Sequence, residues 1–343
     1  NNKASQATGW LFSAAEMLAG RLQWTSTAVS PPLHHRISRR PAAPVKRLVS
    51  SAAWSSSSST AGTTTSGGIG RSFDWDDVFR ISSEGEDDAS SLRGYLERVR
   101  SCNRGSEFRS EFMRFVIEEQ VAGYIHSSFV NHLRRFSDVF IVTLGKNERF
   151  SDPRVTLHPS LKTPGDRTRA VGDVIKCLGS LIPGIRNELY PVSPSFAMPI
   201  YFSLERAAAP YFGIKPHGIT CKENLIKECE EEAGIPECIS SRAIPVGAVS
   251  YMDIDGHRYK RDALFCYDLK LPDTFIPKNE DGEVDSFRLI PIHQVANIIR
   301  RTEFFKPNCS LVIIDFLFRH GYINPDETGY LELLQHLRSE DCS

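Results

Sequence analysis

Two neighbouring segments in the last third of the chain alternate between apolar and polar residues. Residues 243–253 and residues 262–269 are rich in β-branched and aromatic side chains, and Asp255 and Gly256 lie between them. This pattern is typical of two antiparallel strands joined by a tight turn. Residues 287–291 form a third, shorter segment of the same kind. We therefore predict a sheet in this part of the chain.

Segments with helical periodicity lie on both sides of these strands. Apolar residues repeat at spacings of three and four in residues 168–181, 295–301 and 310–320, which predicts three helices. Residues 74–79 and 91–99 are also helix-like. Strands flanked by helices predict the α/β class with a mixed sheet.

A loop containing three prolines, at positions 191, 194 and 199, interrupts this pattern. Proline-rich stretches commonly separate structural units. We place a domain boundary here, between an α+β N-terminal domain of unknown role, residues 73–203, and a second domain, residues 204–343.

A further helix is predicted at the start of the second domain. Thr220 and Glu223 form a capping-box pattern, and Gly234 followed by Pro236 is a stop signal. The predicted helix covers residues 221–233.

Three glutamates share one face of that helix. At about 100° per residue, Glu231 and Glu232 lie within about 60° of Glu228, whereas Glu230 points away from them. The predicted buried stripe consists of Ile226, Cys229 and Ala233.

Like charges at these spacings destabilise a helix by about 0.2–0.5 kcal/mol per pair. They also lie in the C-terminal half, where the helix dipole favours cations. A hard divalent cation, Mg²⁺ or Mn²⁺, would offset both effects because it takes carboxylate oxygens as ligands. Glu228, Glu231 and Glu232 are therefore candidate metal ligands. A solvated acidic face is the alternative interpretation.

The 343-residue chain has a formal net charge of −1, but the charge is unevenly distributed. Residues 1–72 contain eight Lys or Arg, one acid and 21 Ser or Thr. This composition is typical of an organelle transit peptide and leaves little apolar surface to bury. We predict a disordered leader that directs the protein to the chloroplast stroma, with the mitochondrion less favoured. A tail without a targeting role is the alternative.

The rest of the chain is moderately acidic, which argues against broad electrostatic binding to nucleic acid. No apolar run approaches the roughly 18–20 residues that a membrane span requires. The eight cysteines show no CxxC pair, so a disulfide framework or a structural zinc site is not expected. The predicted partner is a small molecule, and the oligomeric state is left open.

Residues 227–235, KECEEEAGI, match the second half of the Nudix box, REUxEExGU, where U is aliphatic. Lys replaces Arg, and Cys occupies the first aliphatic position. With segments such as VGAVSYMDIDG, KRDALFCYDL and SLVIIDFLFRHGYI, residues 73–343 resemble the plant plastidial Nudix hydrolases. Those proteins are similar to the Nudix part of fungal thiamin pyrophosphokinase fusions.

The resemblance implies a Nudix α/β/α sandwich and a metal-dependent pyrophosphohydrolase. The implied substrate is a diphosphate linked to an organic group, namely thiamin diphosphate or its oxidised analogues, cleaved to the monophosphate. By matching position, Glu228, Glu231 and Glu232 would hold Mg²⁺ or Mn²⁺. Either Glu228 or a loop acid would orient or deprotonate the attacking water. Glu283 is the candidate loop acid, and a solvated loop glutamate is the alternative for that position.

The chain departs from the family pattern upstream of this helix. A full box, Gx5Ex7REUxEExGU, requires a Glu where this chain has Ile219. Lys215 is followed directly by Pro216, whereas the resembling proteins have a segment with the first strands of the sheet at this place. We expect those strands to be missing, and with them some backbone hydrogen-bond partners.

Two other functions follow from these observations. The missing segment favours a non-catalytic binding module or an inactive variant. A Nudix enzyme for nucleoside diphosphate derivatives, such as a nucleotide sugar or a dinucleotide, has the same glutamate pattern and a different substrate.

Overall fold

The computed structural model describes residues 10–13, 24–26, 75–83, 92–145, 152–194, 198–215, 221–282, 284 and 287–339. Helices and mixed sheets make up this part of the chain, which confirms the α/β class. Among these residues, no helix is both long enough and apolar enough to cross a membrane.

The described helices are α1 (Trp75–Ser83), α2 (Arg93–Cys102), α3 (Ser127–Leu133), α4 (Pro164–Leu178), α5 (Cys221–Ala233), α6 (Glu237–Ser240), α7 (Ile292–Arg301), α8 (Pro307–Arg319) and α9 (Tyr330–His336). Three 3₁₀ helices cover Ser106–Glu111, Gly179–Leu181 and Arg206–Phe212. The described strands are β1 (Trp10–Ser13), β2 (Trp24–Ser26), β3 (Phe112–Ile117), β4 (Gln120–His126), β5 (Phe140–Thr143), β6 (Arg154–Leu157), β7 (Leu189–Val192), β8 (Phe202–Glu205), β9 (Ile244–Asp255), β10 (Arg258–Leu269) and β11 (Phe287–Leu289).

A four-stranded sheet in the order β4-β3-β6-β5 forms the first lobe, together with α4 and the β7–β8 hairpin. Strands β3 and β6 are parallel, and the other two pairs are antiparallel. Helix α4 begins at Pro164, a few residues before its predicted start. Thr163 and Asp166 form a capping box there that satisfies free N–H groups of the first turn. Apolar residues between positions 113 and 214 make up the core of this lobe.

The second sheet contains the predicted hairpin. Strands β9 and β10 are antiparallel, and Gly256 turns the chain between them with a φ of 56°. Only glycine adopts this left-handed conformation without a steric cost from a Cβ atom. The two predicted strands and the short strand at residues 287–291 are thus confirmed as β9, β10 and β11.

Two strands of this sheet come from the segment predicted to be a disordered leader. Strand β1 pairs antiparallel with β10, and β2 pairs with both β1 and β11. The prediction that residues 1–72 are disordered is therefore wrong for these seven residues. An open edge of β10 exposes N–H and C=O groups that require partners, and β1 provides them. The other residues of the leader lie outside the described part of the chain.

Side chains of β10 alternate between two hydrophobic cores, as the two faces of a strand require. Leu264 and Cys266 pack with α2, α7 and α8. Tyr267 and Leu269 pack on the other side, with apolar residues of α5. Helices therefore lie against both faces of this strand.

The cores divide the chain differently from the predicted boundary after residue 203. Helices α1 and α2 contribute Val78, Tyr95 and Val99 to the core built by β9, β10 and α7–α9. The 3₁₀ helix Arg206–Phe212 belongs instead to the core of the first lobe. The lobe is thus inserted between two parts of the chain that share one core. The predicted domain limits, residues 73–203 and residues 204–343, stay a prediction.

The first lobe contacts the β9–β10 hairpin. Tyr124 of β4 packs against Tyr259, and Ser128 Oγ lies 2.7 Å from His257 Nε2. Arg104 forms a bidentate ion pair with Asp253, with N–O distances of 2.8 and 2.9 Å. These contacts fix the lobe against the hairpin.

A buried ion cluster ties the end of α8 to β10 and to the last described segment. The Asp315 side chain is 1% exposed and accepts hydrogen bonds from Arg319 Nε and Arg338 Nη2, both at 2.7 Å. Arg319 also donates both Nη atoms to Asp268, at 2.8 and 3.1 Å. The buried carboxylate is therefore compensated by two cations.

Replacing Asp315 by Asn removes the negative charge between the two arginines. We expect the free energy of unfolding to fall by about 3 kcal/mol, because breaking a buried ion pair leaves an uncompensated charge. Urea denaturation of the full chain measures this. Asp173→Asn is the control, since its pair with Lys176 is exposed on α4 and its loss costs less than about 0.5 kcal/mol. Equal stability of the two variants would contradict the structural role of Asp315.

Candidate active site

Helix α5 has the predicted bounds, Cys221–Ala233, whereas Thr220, its predicted cap, lies outside the described residues. Cys229 and Ala233 are fully buried, as predicted, and Glu230 is exposed. Ile226 is only half-buried, and Leu225 takes its place in the core.

Because Leu225 is buried and Ile226 is not, the buried face of α5 lies closer to its acidic face than predicted. Leu225, Cys229 and Ala233 centre the buried stripe about 60° from Glu232. As a result, Glu232 is only 1% exposed, whereas Glu228 and Glu231 are half-buried. The acidic face thus extends from the protein interior to the surface.

Two of the glutamates affect the thiol of Cys229. Burial, together with the smaller effect of the charges on Glu232 and Glu228, raises the pKa of Cys229 to about 12. Both carboxylates therefore act on the same buried point of the helix. Cys229 stays protonated at neutral pH, which suits a packing residue and not a nucleophile.

The third glutamate is paired with a lysine of the same helix. Glu231 Oε2 lies 3.2 Å from Lys227 Nζ, and this hydrogen bond and its charge raise the pKa of Lys227. Within the described residues, no three His, Cys, Asp or Glu side chains are grouped so that they could hold a metal ion. Like charges repel, and Glu231 instead contacts the nearest cation. The metal-ligand role of the three glutamates stays a prediction.

The donor chemistry of the face fits a hard cation. Carboxylate oxygens are the ligands that Mg²⁺ prefers in proteins. Lys227 is exposed and forms an ion pair with Glu231.

A loop after β10 closes the C-terminal end of α5. The backbone N–H groups of Glu280 and Asp281 donate to the carbonyl of Glu231, at 3.2 and 3.1 Å. The N–H of Lys278 donates to the carbonyl of Ala233 at 3.0 Å. The last carbonyls of a helix have no partner within it, so this loop provides the donors that they require.

Gly234 ends the helix in a left-handed conformation, with a φ of 61°. Its N–H donates to the carbonyl of Glu230 at 2.9 Å, as in an αL cap. A Cβ atom at this position would lie 3.3 Å from the carbonyl oxygen of Lys278. The glycine of the motif pattern is therefore also a packing requirement, because it allows the loop to approach the helix end.

The candidate loop acid, Glu283, lies outside the described residues. Its neighbour Val284 is described, is 2% exposed and packs in the core with Leu225 and Cys229. The sequence interpretation missed the loop that closes the helix, residues 278–282. The signal was present as Asn-x-x-Gly at Asn279 and Gly282, because Asn side chains commonly bond the backbone of the residues that follow.

Two plant proteins are similar to most of this chain. Nudix hydrolase 20, chloroplastic, of Arabidopsis thaliana is 53% identical over 320 residues, which cover 80% of this chain and 85% of the relative. Nudix hydrolase 24, chloroplastic, of the same plant is 46% identical over an alignment of 381 positions, which covers 97% of this chain and 96% of the relative. The protein is thus a hydrolase. More narrowly, the chain belongs to the Nudix hydrolases, and the predicted chloroplast location is confirmed.

Two further matches cover parts of the chain. An uncharacterised protein of Saccharomyces cerevisiae is 42% identical over 135 residues, which cover 36% of this chain and 39% of the relative. The family described as "Domain of unknown function (DUF4743)" matches residues 94–216. That match begins within α2 and ends just after the first lobe.

The length of one alignment bears on the missing segment. The match to Nudix hydrolase 24 runs over 381 positions, whereas this chain has 343 residues. The relative therefore contains residues that have no counterpart here. This agrees with the expectation that an internal segment is missing from the chain, and its place between Lys215 and Pro216 stays a prediction.

Replacing Gly234 by Ala introduces a side chain in the left-handed region next to Lys278. We expect the free energy of unfolding to fall by about 1–2 kcal/mol, because this conformation is strained for residues with a Cβ. Gly172→Ala in α4 is the matched control. No atom lies within 4 Å of a Cβ there, and alanine should stabilise the helix by about 0.5–1 kcal/mol. Urea denaturation checks both signs, and a stabilised Gly234 variant would contradict the role given to this glycine.

Proposed function

We propose that the protein is a Mg²⁺- or Mn²⁺-dependent Nudix pyrophosphohydrolase. Its substrate would be a diphosphate linked to an organic group, thiamin diphosphate or an oxidised analogue, cleaved to the monophosphate. The observation that carries the proposal is α5 itself: residues 227–235 combine the half-box pattern with a helix whose acidic face leads from buried Glu232 to half-buried Glu228 and Glu231.

In this proposal Glu228, Glu231 and Glu232 would hold the cation. When bound, a divalent cation neutralises charge that develops on phosphoryl oxygens. The chain supports such a site because the three side chains come from one rigid helix, whose C-terminal end is fixed by hydrogen bonds from the loop at residues 278–281. Binding of the cation would require Glu231 to leave its ion pair with Lys227.

The attacking water would be oriented by a carboxylate. Glu228 is the candidate on the helix, and Glu283 is the candidate in the loop. Glu283 follows in the sequence the loop at residues 278–282, which closes the C-terminal end of α5.

The proposal includes the Nudix α/β/α sandwich. Packing of α5 on one face of β10 and of α2, α7 and α8 on the other supports it. The first lobe would be an α+β unit beside the sandwich, and its sheet and helix α4 support that assignment.

A non-catalytic binding module is the second candidate. The residues present in Nudix hydrolase 24 and absent here favour it, because lost strands would remove backbone groups near the helix. Calorimetry with thiamin diphosphate separates the two candidates: binding without release of monophosphate favours the module. Competition with a nucleotide sugar or a dinucleotide in the hydrolysis assay identifies an enzyme for another substrate.

We expect Glu231→Gln and Glu232→Gln to lower kcat/KM for thiamin diphosphate or its oxidised analogues by about 100-fold or more. Each change removes a charged ligand that would stabilise the transition state. Release of monophosphate is measured by chromatography, with Mg²⁺ or Mn²⁺ and again after chelation with EDTA. The chelator should abolish turnover in the parent chain.

Glu230→Gln is the matched control, because Glu230 is exposed on the opposite side of the same helix. It should retain activity within about twofold. Undiminished turnover in the Glu231 and Glu232 variants would reject the proposed site. Turnover that survives chelation would reject the metal requirement.

A further inference from the structure

A series of hydrogen bonds joins the first lobe to the β9–β10 turn through an exposed serine. Ser128 Oγ lies 2.7 Å from His126 Nδ1 and 2.7 Å from His257 Nε2. On the other side of the first ring, His126 Nε2 lies 3.0 Å from Glu111 Oε2. The four side chains therefore form one connected series, with the hydroxyl between two imidazoles and a carboxylate at one end.

A backbone hydrogen bond determines which atoms of the series donate. The N–H of Ser128 donates to His126 Nδ1 at 3.1 Å, so this nitrogen carries no proton. The ring proton of His126 is therefore on Nε2 and points to the Glu111 carboxylate. Nδ1 accepts the hydroxyl proton of Ser128, and Ser128 Oγ in turn accepts the N–H of His257 Nε2. Each of the four groups thus has one defined role.

Packing holds both imidazole rings in place. The ring of His126 has its centroid 5.0 Å from that of Phe112 and 4.9 Å from that of His257. The side chain of His126 is only 15% exposed. Burial, together with the smaller effects of His126 and His132, lowers the pKa of His257, so its ring is neutral at neutral pH. Ser128 is exposed, and a molecule from solvent therefore has access to its Oγ.

A second His-x-Ser pair in the same lobe shows what this series adds. His158 Nδ1 lies 2.7 Å from Ser160 Oγ and accepts the N–H of Ser160 at 3.3 Å, which is the same local turn. Among the acids that the structure describes, none forms an ion pair with His158, whereas His126 has Glu111. The turn alone therefore requires neither a carboxylate nor a second imidazole.

We propose that Ser128 is a nucleophile that takes the acyl group of small activated esters, with His126 as its general base. This activity is separate from the proposed diphosphate hydrolysis. A serine hydroxyl is a weak nucleophile, and an adjacent base that a third group orients activates it. His126 Nδ1 lies within hydrogen-bond reach of Oγ, as a general base must. Glu111 is a positioning residue, because it fixes the tautomer that leaves Nδ1 free to accept a proton.

The reaction has two halves. In the first, Ser128 Oγ bonds to the acyl carbon while its proton moves to His126 Nδ1, and the bond to the leaving oxygen breaks as His126 gives that oxygen the proton. In the second, water adds to the acyl carbon and its proton moves to His126 Nδ1. The bond to Oγ then breaks, Oγ takes the proton, and a carboxylic acid leaves. The N–H of His257 favours negative charge on Oγ in both halves.

Hydrolysis of p-nitrophenyl acetate by the full chain tests this assignment. Absorbance measures the release of p-nitrophenolate, whose low basicity makes it a good leaving group. A fluorophosphonate probe, followed by mass spectrometry of the labelled peptides, identifies the modified serine. Ser128→Ala should lower the rate at least about 10-fold and abolish the label. Ser160→Ala is the matched control, because it removes the hydroxyl of the other His-x-Ser pair, and its rate should stay within about twofold of the parent.

Two variants of Glu111 test its positioning role. Glu111→Ala should lower kcat for the ester about 10-fold and leave KM within about twofold, since Glu111 acts through His126 and not on the substrate. Glu111→Gln offers a carbonyl oxygen to the same Nε2 proton, so it should restore most of the lost kcat. Equal kcat per folded molecule in the parent and in Glu111→Ala would overturn the positioning role.

The remaining outcomes decide where the ester reacts. An unchanged rate in Ser128→Ala, or a label on another serine, would overturn the role of Ser128 as nucleophile. If that variant does not fold, as judged by circular dichroism, the position of the label in the parent chain decides. EDTA should abolish diphosphate hydrolysis and leave ester hydrolysis unchanged, because the steps at Ser128 use no metal. Loss of both activities on chelation would contradict a separate serine site.

Discussion

The end of α5 is the point on which the candidate site depends. The last carbonyls of this helix need hydrogen-bond donors from outside it, and its dipole places partial negative charge where the sequence already has three glutamates. The loop at residues 278–281 supplies the donors through its backbone, and Gly234 lets that loop come close. The same loop therefore caps the end of the helix and brings a second acidic segment next to it.

The β9–β10 hairpin connects this site to the rest of the molecule. One face of β10 packs on α5, and the other packs on helices from both ends of the chain. Residues near the turn contact the first lobe through Tyr259 and His257. The hairpin is therefore common to the contacts that join the first lobe, α5 and the helices of the second core.

Much of the second sheet and its helices was predictable from local patterns. The hairpin, α4, α5 and α8 have long periodic segments with clear turn or cap residues, whereas α3 and the four-residue strands β5 and β6 are too short to show a period. The helical wheel gave the angle between Glu228 and Glu232, but not which side would be buried, because that depends on how Leu225 packs. The partners of α1 and α2 are set by contacts more than a hundred residues away, which no local pattern contains.

The insertion of the first lobe has a consequence for how the chain is made. Val78, Tyr95 and Val99 leave the ribosome long before α7 and α8, on which they pack. Synthesis of residues 103–220 alone takes on the order of ten seconds, at about 5–20 residues per second. The lobe can fold during that interval, since its core is complete by residue 214. The apolar faces of α1 and α2 therefore lack part of their packing partners until α7 and α8 have been made.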